Sequence, residues 1–294
     1  MAAAAETQPV VLKESAATKM VRFLSRTPVY LLLAFLGVLW LVPTFGLFFT
    51  SLIDPAEIGT TGWWEILSKP SAATFDNYRD IFNNEDITSA LWTTVLVAVG
   101  GTILPIIVAA FAAYAFAWLE FPGRDWLFLV VVALLVVPIQ MAFIPLFSLY
   151  NDLGLFDSVL GLVLFHTAFG LPFAIFLLRN FFIGIPRDLL EAARIDGASE
   201  FRIFFRLILP LGLPAIASLA IFQFLWVWND LLVALVFARD TQPITVAIFS
   251  QMRQFSANIE LIAPAAFVSL AIPLVVFFAF QRYFVQGLLA GSVK

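Results

Sequence analysis

The sequence predicts an all-α, polytopic membrane protein with six transmembrane helices. Three observations carry that prediction. Of its 294 residues 62% are hydrophobic and 12% charged, with a mean hydropathy of +0.99, outside the range of an ordinary soluble domain. Six apolar stretches, each long enough to cross a hydrocarbon core of about 30 Å, alternate with polar segments. The 16 Lys and Arg divide unevenly between the two sides so defined, twelve against four, which puts both termini in the cytoplasm. The 33 Phe and 8 Trp suit lipid-facing surfaces and interfacial belts, and the absence of Cys removes disulfides, thiolate metal sites and cysteine nucleophiles.

Residues 1–27, with Lys13, Lys19, Arg22 and Arg26, read as a disordered cytoplasmic tail. Residues 28–52 form span one. Their apolar run is too long for a signal-peptide core and lacks a clear cleavage site, so it is retained. Residues 53–87 hold Asp54, Glu57, Glu65, Asp76, Asp80, Glu85 and Asp86 against Lys69 and Arg79, the composition of an external loop. Trp63-Trp64 and Phe75-Asp76-Asn77-Tyr78 in that loop suit an interfacial aromatic cluster. Spans two, three and four are expected over residues 90–118, 126–150 and 159–178. Pro105, Pro138, Pro145 and Pro172, in or near their ends, remove backbone donors and favour kinks. Span five is expected over 210–237, an external loop over 239–262, and span six over 264–284.

Between spans four and five lies EAARIDGASEFRIFFRLILP, residues 191–210. Arg194, Arg202 and Arg206 alternate there with Ile195, Phe201, Phe204 and Phe205, after Leu189 and Leu190. Such a composition fits short amphipathic helices at a cytoplasmic membrane face, including a plain linker anchored to anionic lipid. Asp196-Gly197 suits a helix end and Ser199 the cap of a second helix, giving a helix, a sharp turn and another helix.

Glu191-Ala192-Ala193, three residues, Gly197, nine residues and a hydrophobic-x-Leu209-Pro210 together resemble the EAA motif of permease subunits of binding-protein-dependent ABC importers. Leu207 stands where that family usually has Ile, a swap that keeps size and polarity. The Phe75-Asp76-Asn77-Tyr78 run and the ends QRYFVQG (281–287) and AGSVK (290–294) resemble the carbohydrate-importing subgroup, especially its maltose- and α-glucoside-type members. The resemblance implies a type I importer permease fold, with a permease core over 88–294. The 191–210 segment is then a coupling helix that docks on a separate ATPase. Glu191 offers a carboxylate to a basic partner, Ala192 and Ala193 permit close approach, Asp196-Gly197 sets the angle between the arms, and Leu209-Pro210 closes the motif. The implied partners are a second homologous permease, an ATPase pair carrying ATP and Mg, an external solute-binding protein and the bilayer of a prokaryotic cell. The chain itself would bind no cofactor or metal, be no enzyme and have no nucleic-acid partner.

No G-x-x-x-x-G-K-[ST] phosphate loop, H-E-x-x-H or G-x-S-x-G is present, so nucleotide binding and hydrolase chemistry have no motif to rest on. Polar residues inside the spans are few: Gln140, His166, Gln223, Trp226, Asn229 and Asp230, beside Trp228. Residues 223, 226 and 230 recur at helical spacing and can share one face. Amides and carboxylates beside aromatic rings suit a sugar path; the same residues suit an aromatic belt and ties between helices. A secondary transporter or channel, or an importer of a non-sugar solute, is the alternative function. For ion coupling Asp230 is the single acidic candidate at membrane depth, and no internal repeat is obvious.

Overall fold

The computed structural model describes residues 16–253 and 258–290, which fold as helices without a strand among them. Span one lies in α1 (Ala16–Thr50). Residues 16–27, expected as a disordered tail, begin this helix, since Ala16, Ala17, Lys19 and Met20 are good helix formers with no Gly or Pro among them; residues 1–15 lie outside the described residues. The turn that ends α1 leaves the carbonyls of Ser51, Leu52 and Ile53 without helical partners. They are met by the segment that follows, which folds into α2 (Glu65–Ser68), a 3-10 turn (Pro70–Ala72) and α3 (Asp76–Asn83). Asn77 Nδ2 donates to Ser51 O at 2.9 Å and Ile53 O at 2.7 Å, the Thr74 N–H donates to Leu52 O at 2.8 Å, and the Ser51 and Tyr78 hydroxyls lie 2.6 Å apart. The Phe75-Asp76-Asn77-Tyr78 run is therefore a clamp on the end of span one.

Span two, α4 (Glu85–Trp118), starts five residues before its expected beginning at 90. Asn84 caps it by accepting the Ile87 N–H at 3.1 Å, and Glu85 and Asp86 suit the positive end of the helix. Span three, expected over 126–150 with prolines that favour a kink, is broken more sharply than a kink. It divides into α5 (Arg124–Leu134), a 3-10 turn (Ile139–Ala142) and α6 (Phe143–Asp152), bent by 96°. Pro138 has no N–H for a helix and disfavours helical backbone at Val137. The two halves nonetheless run along one partner, α7 (Val159–Ile183), the fourth span. In α5, Phe128 stacks on Phe176 and lies 3.9 Å beneath the Arg179 guanidinium, near the end of α7. In α6, Phe143 meets Phe165 and the Tyr150 hydroxyl donates to Gly161 O at 3.0 Å, near its start. The bent pair thus crosses from one end of α7 to the other as a single span.

After α7 come α8 (Arg187–Ile195), α9 (Glu200–Ile203) and α10 (Leu209–Trp228). Span five was expected over 210–237, but its helix stops at Trp228 and resumes as α11 (Leu232–Phe237). Asp230 causes the break by turning its carboxylate onto the backbone N–H groups of Val233 at 3.2 Å and Ala234 at 3.1 Å. The expected loop 239–262 contains α12 (Ile244–Arg253) and the start of α13 (Ile259–Ala290), the sixth span. The AGSVK ending lies outside the described residues beyond Ala290.

Spans two, four and five form the centre. Ala109, Ala110 and Ala113 on α4 and Ala174 on α7 are buried there, small enough to let the backbones approach. At the end away from α8, Asp157 takes a left-handed φ of +54° and its carboxylate accepts the N–H groups of Arg239 at 2.8 Å, Asp240 at 2.9 Å and Thr241 at 2.9 Å. Burial raises its pKa; these three donors outweigh that and hold it below the usual value.

Candidate functional site

At the opposite end α8 and α9 form an elbow. Gly197 has φ +76°, and its N–H donates to Arg194 O while that of Ala198 donates to Ala193 O, both at 3.0 Å. This is the paired-bond helix ending that requires a left-handed residue. Ser199 then caps α9 by accepting the Arg202 N–H at 3.4 Å. Leu190 is fully buried in the bundle and Ala193 packs beside it, so the elbow sits on the core by one narrow face. The other faces are open. Glu191, Ala192, Asp196 and Gly197 are exposed, and Ile195 and Phe201 present 86% and 72% of their surface. Glu191 holds Arg187 in an exposed pair at 2.9 Å.

Arg194, noted in the sequence only for its charge, fixes the elbow to span two together with three residues that the sequence did not single out, Glu200, Trp118 and Tyr114. The Arg194 guanidinium donates to Glu200 at 2.9 and 3.3 Å and to Trp118 O at 3.4 Å, and the Tyr114 hydroxyl donates to the same Glu200 carboxylate. The Glu200 hydrogen bond raises the pKa of Arg194. The readable hint was a pair of opposite charges on either side of Gly197. Span five is joined to the elbow without a break, because a π turn (Phe204–Ile208) links α9 to α10. Its wider ring lets the Leu209 N–H donate to Phe204 O, five residues back, immediately before Pro210. Pro210 has no N–H and its ring crowds the carbonyl four residues earlier, so widening the turn relieves a conflict that would break a tight helix. Phe204 is buried there, stacked on Phe111 at 4.7 Å. Leu209 and Pro210 thus lie along the span, apart from the elbow formed by Glu191, Ala192, Ala193, Asp196 and Gly197.

Of the intramembrane residues, the structure gathers His166, Gln223, Trp226 and Asp230. His166 is buried, with Nε2 3.6 Å from Asp230 Oδ2, Nδ1 without a hydrogen-bond partner, and Trp226 edge-on at 5.0 Å. The buried Gln223 donates to Gly101 O at 3.0 Å and His166 O at 3.4 Å. Gly170 makes room for it, since a Cβ there would stand 2.5 Å from the Gln223 amide nitrogen. Beside them opens a cavity of about 330 Å³ lined by Phe169, Gly170, Phe173, Phe222, Gln223 and Trp226. Asn229 is exposed and bonds its own helix at Leu225 O. Gln140 is exposed on the 3-10 turn in the bend of span three and shares no hydrogen bond with the others. Trp228, buried, donates its indole N–H to Ser269 O on α13 at 2.9 Å.

Comparison with known proteins matches residues 106–289 to the family model of the binding-protein-dependent transport system inner membrane component. The chain is 46% identical over 278 residues to the osmoprotective compounds uptake permease protein GgtD of Synechocystis sp., covering 92% of this chain and 93% of that one. It is 52% identical over 233 residues to the alpha-glucoside transport system permease protein AglG of Rhizobium meliloti, covering 76% of this chain and 61% of that one. A crystal structure of a bacterial ABC transporter involved in the import of the acidic polysaccharide alginate contains a chain of the same fold, with a TM-score of 0.71 at 21% identity over 92% of this chain and 99% of that chain.

Proposed function

Because the chain belongs to the family of binding-protein-dependent transport system inner membrane components, and is thus a multi-pass membrane permease, we propose that it forms half of the path for an oligosaccharide or α-glucoside in an ATP-driven importer. The elbow carries this reading: an exposed turn, seated on the bundle by one face and continuous with span five, is built to receive a push and pass it on. A separate ATPase pair, holding ATP and Mg, would supply that push at Glu191, Ala192 and Asp196, with the exposed Ile195 beside them. A second, related permease completes the path, and an external binding protein delivers the solute. With six spans and twelve of the 16 Lys and Arg on the elbow side, both termini belong to the cytoplasm.

Alternating access follows as the mechanism. Closure of the ATPases draws the elbows together and turns the spans outward to accept solute; hydrolysis returns them. The sugar assignment is supported by the name of AglG and by the cavity, whose aromatic walls and single amide suit the faces and hydroxyls of a glucoside. Family membership sets the secondary-transporter and channel alternatives aside. Purification of the tagged protein from its native membrane in mild detergent tests the assembly. Recovery of an ATPase bearing a phosphate loop together with a second permease is expected; a lone chain or homo-oligomer, even after crosslinking from position 193, overturns it.

A further inference from the structure

A proline leaves the carbonyl four residues before it without its α-helical donor. Two such carbonyls meet α10. Pro105 frees Gly101 O in α4, and Gln223 donates to it at 3.0 Å. Pro273 frees Ser269 O in α13, and Trp228 donates to it at 2.9 Å. Both donors are buried side chains of one helix, and each reaches into the gap of a different neighbour.

We propose that Gln223 and Trp228 are positioning residues that key span five to spans two and six through these proline gaps, so that movement of the elbow reaches three spans together. The proposal rests on the coupling reading of the elbow. Chemically, the gap is a suitable keyhole. Its carbonyl accepts a side-chain donor without surrendering a helix bond, and in an apolar surrounding the unmet carbonyl is unfavourable, so the donor is held. When water enters an opening path it can take the donor's place, so the key can also release without unwinding either helix. Gly170 and Gly101 serve the same end. Each would bring a side chain into the crossing, against Gln223 in one case and against His166 and Val227 in the other.

The proposal is tested in the complete transporter, reconstituted in liposomes, by measuring solute moved per ATP hydrolysed. Gln223→Leu and Trp228→Phe remove the donors at similar size; Pro105→Ala and Pro273→Ala return a backbone N–H to the freed carbonyls. Each donor variant should lower the ratio roughly tenfold, the effect of one lost buried hydrogen bond. In the matching Pro→Ala background the donor substitution should have a much smaller effect, for Gln223 only that of its longer 3.4 Å bond to His166 O. Normal ratios in both donor variants overturn the proposal. So does a Gln223→Leu loss that persists unchanged beside Pro105→Ala with a raised half-saturating solute concentration, the behaviour of a substrate contact. If Gln223→Leu alone fails to assemble, the double variant decides: recovered assembly supports the keyed gap, and continued failure refutes it. A fault in the coupling reading itself shows elsewhere, as normal transport per ATP in Glu191 and Gly197 variants.

Discussion

Gly197 offers the sharpest test of the elbow. Its φ of +76° is left-handed, and a Cβ built there meets nothing within 4 Å. Any penalty for substitution therefore comes from the backbone angle, not from crowding. That penalty is about 1–2 kcal/mol for an ordinary L-residue, smaller for Asn and larger for a β-branched side chain. The two bonds that end α8, from Gly197 to Arg194 O and from Ala198 to Ala193 O, exist only in the left-handed geometry, so the strain falls on the elbow. One to two kcal/mol changes the share of correctly bent elbows about 5- to 30-fold. The bundle, which buries Leu190 independently of the turn, should keep its stability. The assay is solute uptake and ATP hydrolysis for Gly197→Asn, Gly197→Ala and Gly197→Val at matched membrane levels. Transport per ATP should fall in that order while thermal unfolding in detergent stays nearly constant. Equal performance of Val and Gly, or an Asn variant worse than Ala, would refute the geometric argument.

Glu191→Ala breaks an exposed pair with Arg187, worth about 0.3–0.5 kcal/mol in a helix, so the fold should be unaffected and a loss of uptake with retained membrane insertion would mark a missing ATPase contact; normal uptake sinks that role. Asn77→Ala orphans the Ser51 and Ile53 carbonyls and should destabilise the junction of α1 and α3 by about 2–5 kcal/mol, read as a lower unfolding temperature; an unchanged temperature contradicts the clamp. The depressed pKa of Asp157 means that its ionised form stabilises the fold above the unfolded carboxylate value near about 3.9, and that this contribution is lost as pH falls through the lower folded value. Between pH 7 and pH 3 the unfolding temperature of Asp157→Asn should therefore change less than that of the wild type; parallel curves would remove Asp157 from the account.

Hydropathy made the six spans legible because a helix in lipid must be apolar on every outward face, a demand that leaves little room for ambiguity. The elbow was legible because the left-handed Gly197 and the Ser199 cap are settled within a few residues of chain. Pro138 gave notice of a kink, but whether a kink bends a span slightly or by 96° depends on what lies beside it, here the length of α7. The end of span five was misplaced for a different reason. Asp230 looked like a membrane-depth acid, while its first task is to cap the first turn of α11 through the Val233 N–H three residues on. The rest depends on partners far away in sequence. Gln223 and Gly101 are 122 residues apart, Asn77 and Ser51 26 apart, and Asp157 meets residue 239 across 82. No local pattern announces such pairs.

The π turn before Pro210 has a consequence for everything beyond it. An extra residue in a helix rotates all later side chains about the axis by about 100°. Gln223, Trp226 and Trp228 look toward the cavity, His166 and α13 only because that residue has been inserted; the same sequence wound as an uninterrupted α-helix would aim them elsewhere. The angular phase of the cavity wall is thus set about fifteen residues away, at the joint with the elbow. Rewinding the π turn as an ordinary α-helical turn would rotate that wall about the helix axis, with no change to any residue that lines it.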